Sequence, residues 1–252
     1  MTVPKIIDVN AGNVEQTGFF CYMSKRKTEG FRQKLDWLKA RFSEGMRIKM
    51  LELPERGFIE YLPGEYAWRA VDAADTLFIH CLWVVGKSKN QGSAGALLQE
   101  CFRDAKAAGN KGVAMLTSER NWLAGKKALL KHGFESAAEK PPFSLLVKRF
   151  GETEPPSFTG NWDDKARRFG AGVTVVRSAQ CPYIPDATET VLKAARELGI
   201  ESRVVELKSC REIRERAPSP YGVFSIVYNG SLLSYHYLLP KNLKAALVKA
   251  AT

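Results

Sequence analysis

The segment Lys89-Asn-Gln-Gly-Ser-Ala-Gly-Ala-Leu-Leu98 carries the clearest chemical signal in this chain. It follows the apolar run Thr76-Leu-Phe-Ile-His-Cys-Leu-Trp-Val-Val85 and leads into Gln99-Glu-Cys-Phe-Arg-Asp-Ala-Lys106. That order predicts strand, small-residue turn, helix. Such a turn presents backbone N–H groups at a helix N-terminus, where the helix dipole favours an anion. A cofactor phosphate is the anion to expect. The five cysteines form neither a C-x-x-C pair nor a zinc-ligand pattern, so no metal site is expected.

Composition sets the wider limits. The 252 residues suffice for one large domain or two small ones. A hydrophobic content of 45% and a charged content of 26% are ordinary for a globular protein. No stretch approaches the ~20 apolar residues of a membrane span. The N-terminal Met1-Thr-Val-Pro-Lys-Ile-Ile-Asp8 lacks the basic and apolar regions of a signal peptide. With the odd cysteine count, this predicts a reduced, cytoplasmic protein with no membrane partner. The net charge of +11 is spread along the chain in short clusters, Lys25-Arg-Lys27, Lys165-Ala-Arg-Arg168 and Arg211 to Arg216. Dispersed charge of this kind predicts solvated faces or an anionic ligand, and no specific nucleic-acid partner.

These groups need elements to hold them. A short strand is expected at 3–9, a helix from Asn13 to Phe20, and a helix over 30–42 with Phe31, Leu35, Leu38 and Phe42 at helical spacing. Strands follow at 47–53 and 57–62, continued by Tyr66-Ala-Trp-Arg-Ala-Val71 after the Pro63-Gly64 turn. The Thr76–Val85 strand is apolar throughout and so central. A helix over 95–108, a strand over 112–117, a short helix over 123–131 and a strand over 143–150 complete a first domain, 1–150. Residues 151–170 have linker composition. A second domain, 171–252, reads as strand 172–177, a helix after Cys181-Pro-Tyr-Ile-Pro185, strand 203–207, helix 210–216, a hairpin across Asn229-Gly230 and a final helix over 243–250. The fold class is α/β (α+β).

The turn, its preceding strand and the later Gly133-Phe134 together resemble the GNAT superfamily of acetyl-CoA-dependent acetyltransferases. The family's Arg/Gln-x-x-Gly-x-Gly/Ala signature is matched as Lys89-x-x-Gly92-x-Ala94, with Lys in place of Arg or Gln. The phrases Gly57-Phe-Ile-Glu-Tyr, Tyr66-Ala-Trp-Arg and Phe78-Ile-His-Cys-Leu-Trp resemble more closely a subgroup with a C-terminal YoaP-type domain. The two resemblances cover nearly the whole chain. They imply a mixed central sheet flanked by helices, with acetyl-CoA as donor and a small-molecule amine as acceptor. The pyrophosphate would sit on the backbone of Gln91, Gly92, Ser93, Ala94 and Gly95, with Lys87 and Lys89 adding charge. The pantetheine arm would pair with the main chain of Leu82, Trp83 and Val84, side chains that can equally be core. Asn121 is either a residue that reaches the cofactor arm or a helix N-cap.

Acyl transfer to an amine needs a base, a donor for the oxyanion and an acid for the leaving thiolate. The resemblance places the oxyanion donor among the main-chain N–H groups near Leu82 to Val84. His80 and Glu60 are the candidate bases, on strands expected to be neighbours. His80 is alternatively a hydrogen-bonded core histidine, and Glu60 an outward polar position. The family's acidic Tyr is here Leu129, with Tyr61 and Tyr66 as substitutes or pocket wall. Tyr66, Trp68 and Arg69 could line an acceptor pocket, Arg69 facing a carboxylate; the alternative is a solvated arginine on a strand edge.

In the second domain, Cys181-Pro-Tyr-Ile184 between strand and helix resembles the thioredoxin active-site turn, which implies a small thioredoxin-like α/β domain. Ile184 at the resolving position excludes a dithiol cycle through this motif. Cys181 is left as a monothiol group or as part of the substrate pocket, and Cys210 as a conceivable partner. Cys21, Cys81 and Cys101 are expected to pack as small apolar groups. The reading that follows is an N-acetyltransferase whose C-terminal domain shapes the acceptor site. The alternatives are an acyl-CoA sensor without turnover and a monothiol redox protein using Cys181. The oligomeric state stays open.

Overall fold

A computed structural model describes residues 4–119 and 123–251. The chain divides into two compact units. The first comprises residues 1–26, 35–67 and 71–158; the second comprises 27–34, 68–70 and 159–252.

The first unit is built on a seven-stranded mixed sheet. Its strands are β1 (Ile6–Val9), β2 (Arg47–Leu51), β3 (Gly57–Pro63), β5 (Thr76–Val84), β6 (Gly112–Ser118), β7 (Glu135–Lys140) and β8 (Phe143–Arg149). They lie in the order β1-β2-β3-β5-β6-β8-β7. The strand β4 (Val71–Asp72) pairs separately with β9 (Ser157–Phe158). The helices are α1 (Val14–Thr17), α2 (Glu29–Phe42), which runs from residues of the second unit into the first, α3 (Ser93–Ala107) and α4 (Lys126–Leu130). Every residue of β6 is buried, which fits an apolar strand inside a sheet covered on both faces.

Helix α3 buries Leu97, Leu98, Cys101, Phe102 and Ala105, a stripe at helical spacing. That stripe packs on Ile59, Tyr61, Leu77, Ile79 and Leu82 of the sheet. Its polar edge is also tied to the strands. The Tyr61 hydroxyl donates to Asp104 at 2.6 Å, Arg47 reaches Asp104 at 3.0 Å and Lys49 lies 3.4 Å from it. Burial alone would raise the Asp104 carboxyl, but the Tyr61 and Arg47 hydrogen bonds and the Lys49 charge hold it below its ordinary value of 3.8. A lowered acid contributes stability above the unfolded-state value and loses it as pH falls through the folded-state value. Asp104→Asn should therefore lower the melting temperature at neutral pH, and the gap should close below about pH 4. Melting curves over that range check this; a gap independent of pH would contradict it.

Several sequence expectations shift. The helix expected over 13–20 forms only at Val14–Thr17. Tyr66 to Val71 does not continue a strand. Residues Gly64–Tyr66 form a 3₁₀ turn, and only Val71 and Asp72 pair. The reason is that Trp68 and Arg69 are both buried, at 2% and 3% exposure, and the Ala70 N–H donates to Pro220 O. Trp68 O also accepts from Gln180 Nε2 at 3.2 Å, so this backbone bonds to residues far along the chain and not to a neighbouring strand. Strand β7 was absent from the sequence reading. Its Glu-Ser-Ala-Ala-Glu-Lys is mostly exposed because it forms a sheet edge, where charge blocks further pairing.

The second unit has a four-stranded sheet of β10 (Val173–Arg177), β11 (Ser202–Glu206), β12 (Phe224–Tyr228) and β13 (Ser231–Ser234), in the order β11-β10-β12-β13. Strand β11 is parallel to β10, whereas β12 is antiparallel to both β10 and β13. Its helices are α5 (Trp162–Arg167), α6 (Ile184–Glu197), α7 (Cys210–Arg216) and α8 (Pro240–Ala251). Ala187, Val191, Ala194 and Ala195 of α6 join Leu243 and Leu247 of α8 over Val173, Val175 and Ile226. Asn229 and Gly230 turn the hairpin with φ of 48° and 73°, the left-handed pair that a type I′ turn needs. Part of the stretch with linker composition is ordered structure: Asn161 caps α5 by accepting from the Asp163 and Asp164 N–H groups, and Trp162 is buried. No helix among the described residues is long and apolar enough to cross a membrane.

Candidate functional site

The register of β5 makes the site. Against β3, Glu60 pairs with Cys81 and Tyr61 with Ile79, so His80 is an extra residue in the ladder. A bulge of this type bends the strand and increases its twist. Against β6, parallel pairing runs only from Thr76↔Gly112 to Ile79↔Met115. Strand β5 then continues to Val84 with its β6-side main chain outside that ladder. The bulge and the end of pairing coincide. It also changes side-chain parity: Leu77 and Ile79 face α3 before it, and Leu82 faces α3 after it.

His80 projects to the opposite face. Its ring lies 6.1 Å from Trp37 of α2 and 6.0 Å from Phe78. Its Nδ1 is 4.0 Å from Glu60 Oε1, and the two side chains are 1% and 5% exposed. The expectation that they stand on neighbouring strands is met by the register. The carboxylate and the imidazole thus stand side by side in a closed environment.

At the far end of β5 the chain enters the glycine turn. Ser88 is buried and anchors it, accepting from the Arg56 N–H at 2.9 Å and donating to Glu55. Gly92 caps α3 in the left-handed conformation, φ 80°. A Cβ on Gly92 would meet nothing within 4 Å. Packing inside the protein therefore does not require glycine here; the backbone conformation does, and it leaves the approach to the helix N-terminus open. The first turn of α3 carries no acidic residue, and Lys87 and Lys89 are exposed beside it. By helix geometry the N–H groups of Ser93, Ala94 and Gly95 have no intrahelical acceptor. This is a cradle suited to a phosphate. Gly95 has a different reason for being small: a Cβ there would lie 3.0 Å from His132 Cε1.

The other expected site residues fall out as follows. Leu82 is buried in the α3 cluster, Val84 is half-buried and Trp83 is 41% exposed. Gln91 is exposed, Ser93 buried and Ala94 half-buried. Asn121 lies outside the described residues. Leu129 is fully buried in the apolar cluster, so it offers no proton. Tyr61 is fully buried in the α3 cluster and its hydroxyl is committed to Asp104 at 2.6 Å, so it does not reach a leaving thiolate. Tyr66, in the first unit, is 39% exposed. Trp68, Arg69 and Cys181 belong to the second unit.

Arg69 is not a solvated strand-edge arginine. It donates to Gln180 Oε1 and, at 2.8 Å, to Trp68 O, and its guanidinium lies 5.2 Å from the Tyr221 ring centroid. Cys181 is half-buried just ahead of α6, and no disulfide joins it to Cys210. Cys101 is buried as expected, whereas Cys21 and Cys81 are only partly so.

The sequence reading missed a cavity in the first unit lined by Ile7, Phe20, Met23, Met50, Leu53 and Arg56, among others. Phe20 stacks on Phe58 at 5.2 Å, and Phe58 pairs in register with Trp83 and Met50. The cluster Phe19-Phe-Cys-Tyr-Met23 after a four-residue helix was the available signal.

The chain is 29% identical over 237 residues to the uncharacterized N-acetyltransferase YoaP of Bacillus subtilis (strain 168), covering 92% of this chain and 94% of that protein. The similarity spans nearly the whole of both proteins. No family model matches the chain. Among solved structures, it is similar to the PaiA N-acetyltransferase of Thermoplasma acidophilum in complex with coenzyme A. That likeness has 15% identity and a TM-score of 0.42, and covers 60% of this chain and all of that one. An acetyltransferase from Thermus thermophilus gives 14% identity and a TM-score of 0.42, with the same coverage.

Proposed function

We propose that this chain transfers an acetyl group from acetyl-CoA to the amine of a small molecule. It is an acyltransferase, and acetyl-CoA is its donor, in keeping with its full-length relative named an N-acetyltransferase. The observation that carries the reading is the placement of two features at successive points of one strand. Strand β5 leaves β6 at a bulge, and the same strand ends in an open, left-handed glycine cap with cationic neighbours.

Acetyl-CoA, when bound, supplies an activated acetyl thioester. The chain's own residues do the rest. Gln91 to Gly95 and Lys89 hold the pyrophosphate through backbone N–H groups and charge. The main chain of Leu82 to Val84, beyond the β6 ladder, orients the pantetheine arm and donates to the carbonyl where negative charge develops. His80 takes the proton from the acceptor amine with Glu60 beside its ring, and CoA would leave as the thiolate and take its proton from solvent. The acceptor's organic part occupies the cavity of Phe20, Met23 and Met50, which adjoins the Phe58–Trp83 row. The strand order β11-β10-β12-β13 with α6 and α8 packed on it supports a thioredoxin-like second domain. Ile184 lies in that domain's core, so we assign Cys181 no dithiol role.

Free-CoA release measured with a panel of amines, amino acids and aminothiols tests this reading. The expected outcome is amine-dependent release for at least one class. Acetyl-CoA binding without release for any class would point to a sensor.

A further inference from the structure

The second unit holds a cavity that acyl transfer does not use. Its volume is about 260 Å³, and its lining is Lys165, Arg168, Phe169, Arg203, Val205 and Arg216. These come from α5, the residues just after it, the edge strand β11 and the end of α7. Four of the six are cations, and the lining includes no carboxylate.

Nearby acids do not fill it. Glu212 is 4.0 Å from Arg216, and Glu215 pairs with Arg211 at 2.8 Å while acting on Lys165 only through its charge. Two of the cations are fixed in place. Lys165 is 6% exposed, and its ammonium donates to Thr159 O at 3.0 Å and to Arg214 O. Arg203 donates to the carbonyls of Phe169 and Ala171. Burial first, and the Arg168 charge next, hold the Lys165 amine below its ordinary value. The cavity's own field thus works against its cations, a cost that a bound anion removes. Buried Phe169 and partly buried Val205 supply an apolar wall.

We propose that this cavity binds a phosphate-bearing small molecule. The phosphate sits among Arg168, Arg203, Arg216 and Lys165, and the organic part rests on Phe169 and Val205. Guanidinium forks match phosphate oxygens in pairs, and three of them converging suit a dianion with several terminal oxygens.

Calorimetric titration of the full chain, saturated with acetyl-CoA to occupy the other phosphate site, tests this. The probes are inorganic phosphate, phenyl phosphate and succinate. Phenyl phosphate should bind most tightly, inorganic phosphate less so and succinate least. Arg168→Gln and Arg216→Gln, both at exposed positions, should each weaken phenyl phosphate about tenfold, the scale of one lost charge-assisted hydrogen bond. Acetyl-CoA affinity should be unchanged in both, which separates this test from the acyltransferase reading. Absence of saturable phosphate binding, succinate binding as tight as phosphate, equal affinity for the two phosphates, or full affinity in both variants would each overturn the proposal.

Discussion

Gly92→Glu should abolish acetyl-CoA binding, raising the dissociation constant ~100-fold or more. Two effects act together. The residue is held at φ 80°, a conformation that costs an ordinary L-residue roughly 1–2 kcal/mol. The new carboxylate would also stand at the N-terminus of α3, where the pyrophosphate is to be held. Losing two charge-assisted hydrogen bonds, at about 1.5–3 kcal/mol each, accounts for a change of that size. The fold itself should survive, because space around the Gly92 Cβ position is open. Gly92→Asn separates the two effects, since asparagine tolerates the left-handed region and brings no charge. It should retain most of the affinity. The measurement is a thermal shift with increasing acetyl-CoA, checked by circular dichroism for intact secondary structure. Unaltered affinity in the glutamate variant would remove the turn from the site.

His80→Ala should lower turnover by roughly 10²–10⁴-fold while leaving acetyl-CoA affinity unchanged. The residue is the bulge in the β3–β5 ladder, at the point where pairing with β6 ends, and its Nδ1 lies 4.0 Å from Glu60. Because a buried ring is removed, His80→Gln serves as the bulk-retaining companion and should lose turnover similarly. Glu60→Gln should keep part of the activity, because the amide retains the bulk beside the ring but brings no charge to offset the proton that His80 takes up. Undiminished turnover in His80→Ala would assign the histidine to the core, packed between Trp37 and Phe78.

How much of this was legible in the sequence depends on whether the signal was local. The glycine turn, the helix that follows it and the Asn229-Gly230 hairpin are set by residues a few positions apart, and each appeared where expected. The neighbouring of Glu60 and His80 followed from the order of two apolar strands. The bulge at His80 did not, because one extra residue in a uniformly apolar strand leaves no change in hydrophobic pattern. Tyr66 to Val71 misled for a related reason. Its aromatic, alternating sequence reads as a strand, but bonds from Gln180 and Pro220, far away in the chain, hold Trp68 to Ala70 in another conformation. The cavity beside Phe20 combines residues from 7 to 56, so no window of sequence contains it.

The most direct test of the central claim is calorimetric titration of the intact chain with acetyl-CoA. Saturable binding of one molecule per chain, lost in Gly92→Glu, is the predicted result. No binding at millimolar acetyl-CoA would contradict the donor site and the acyltransferase reading with it.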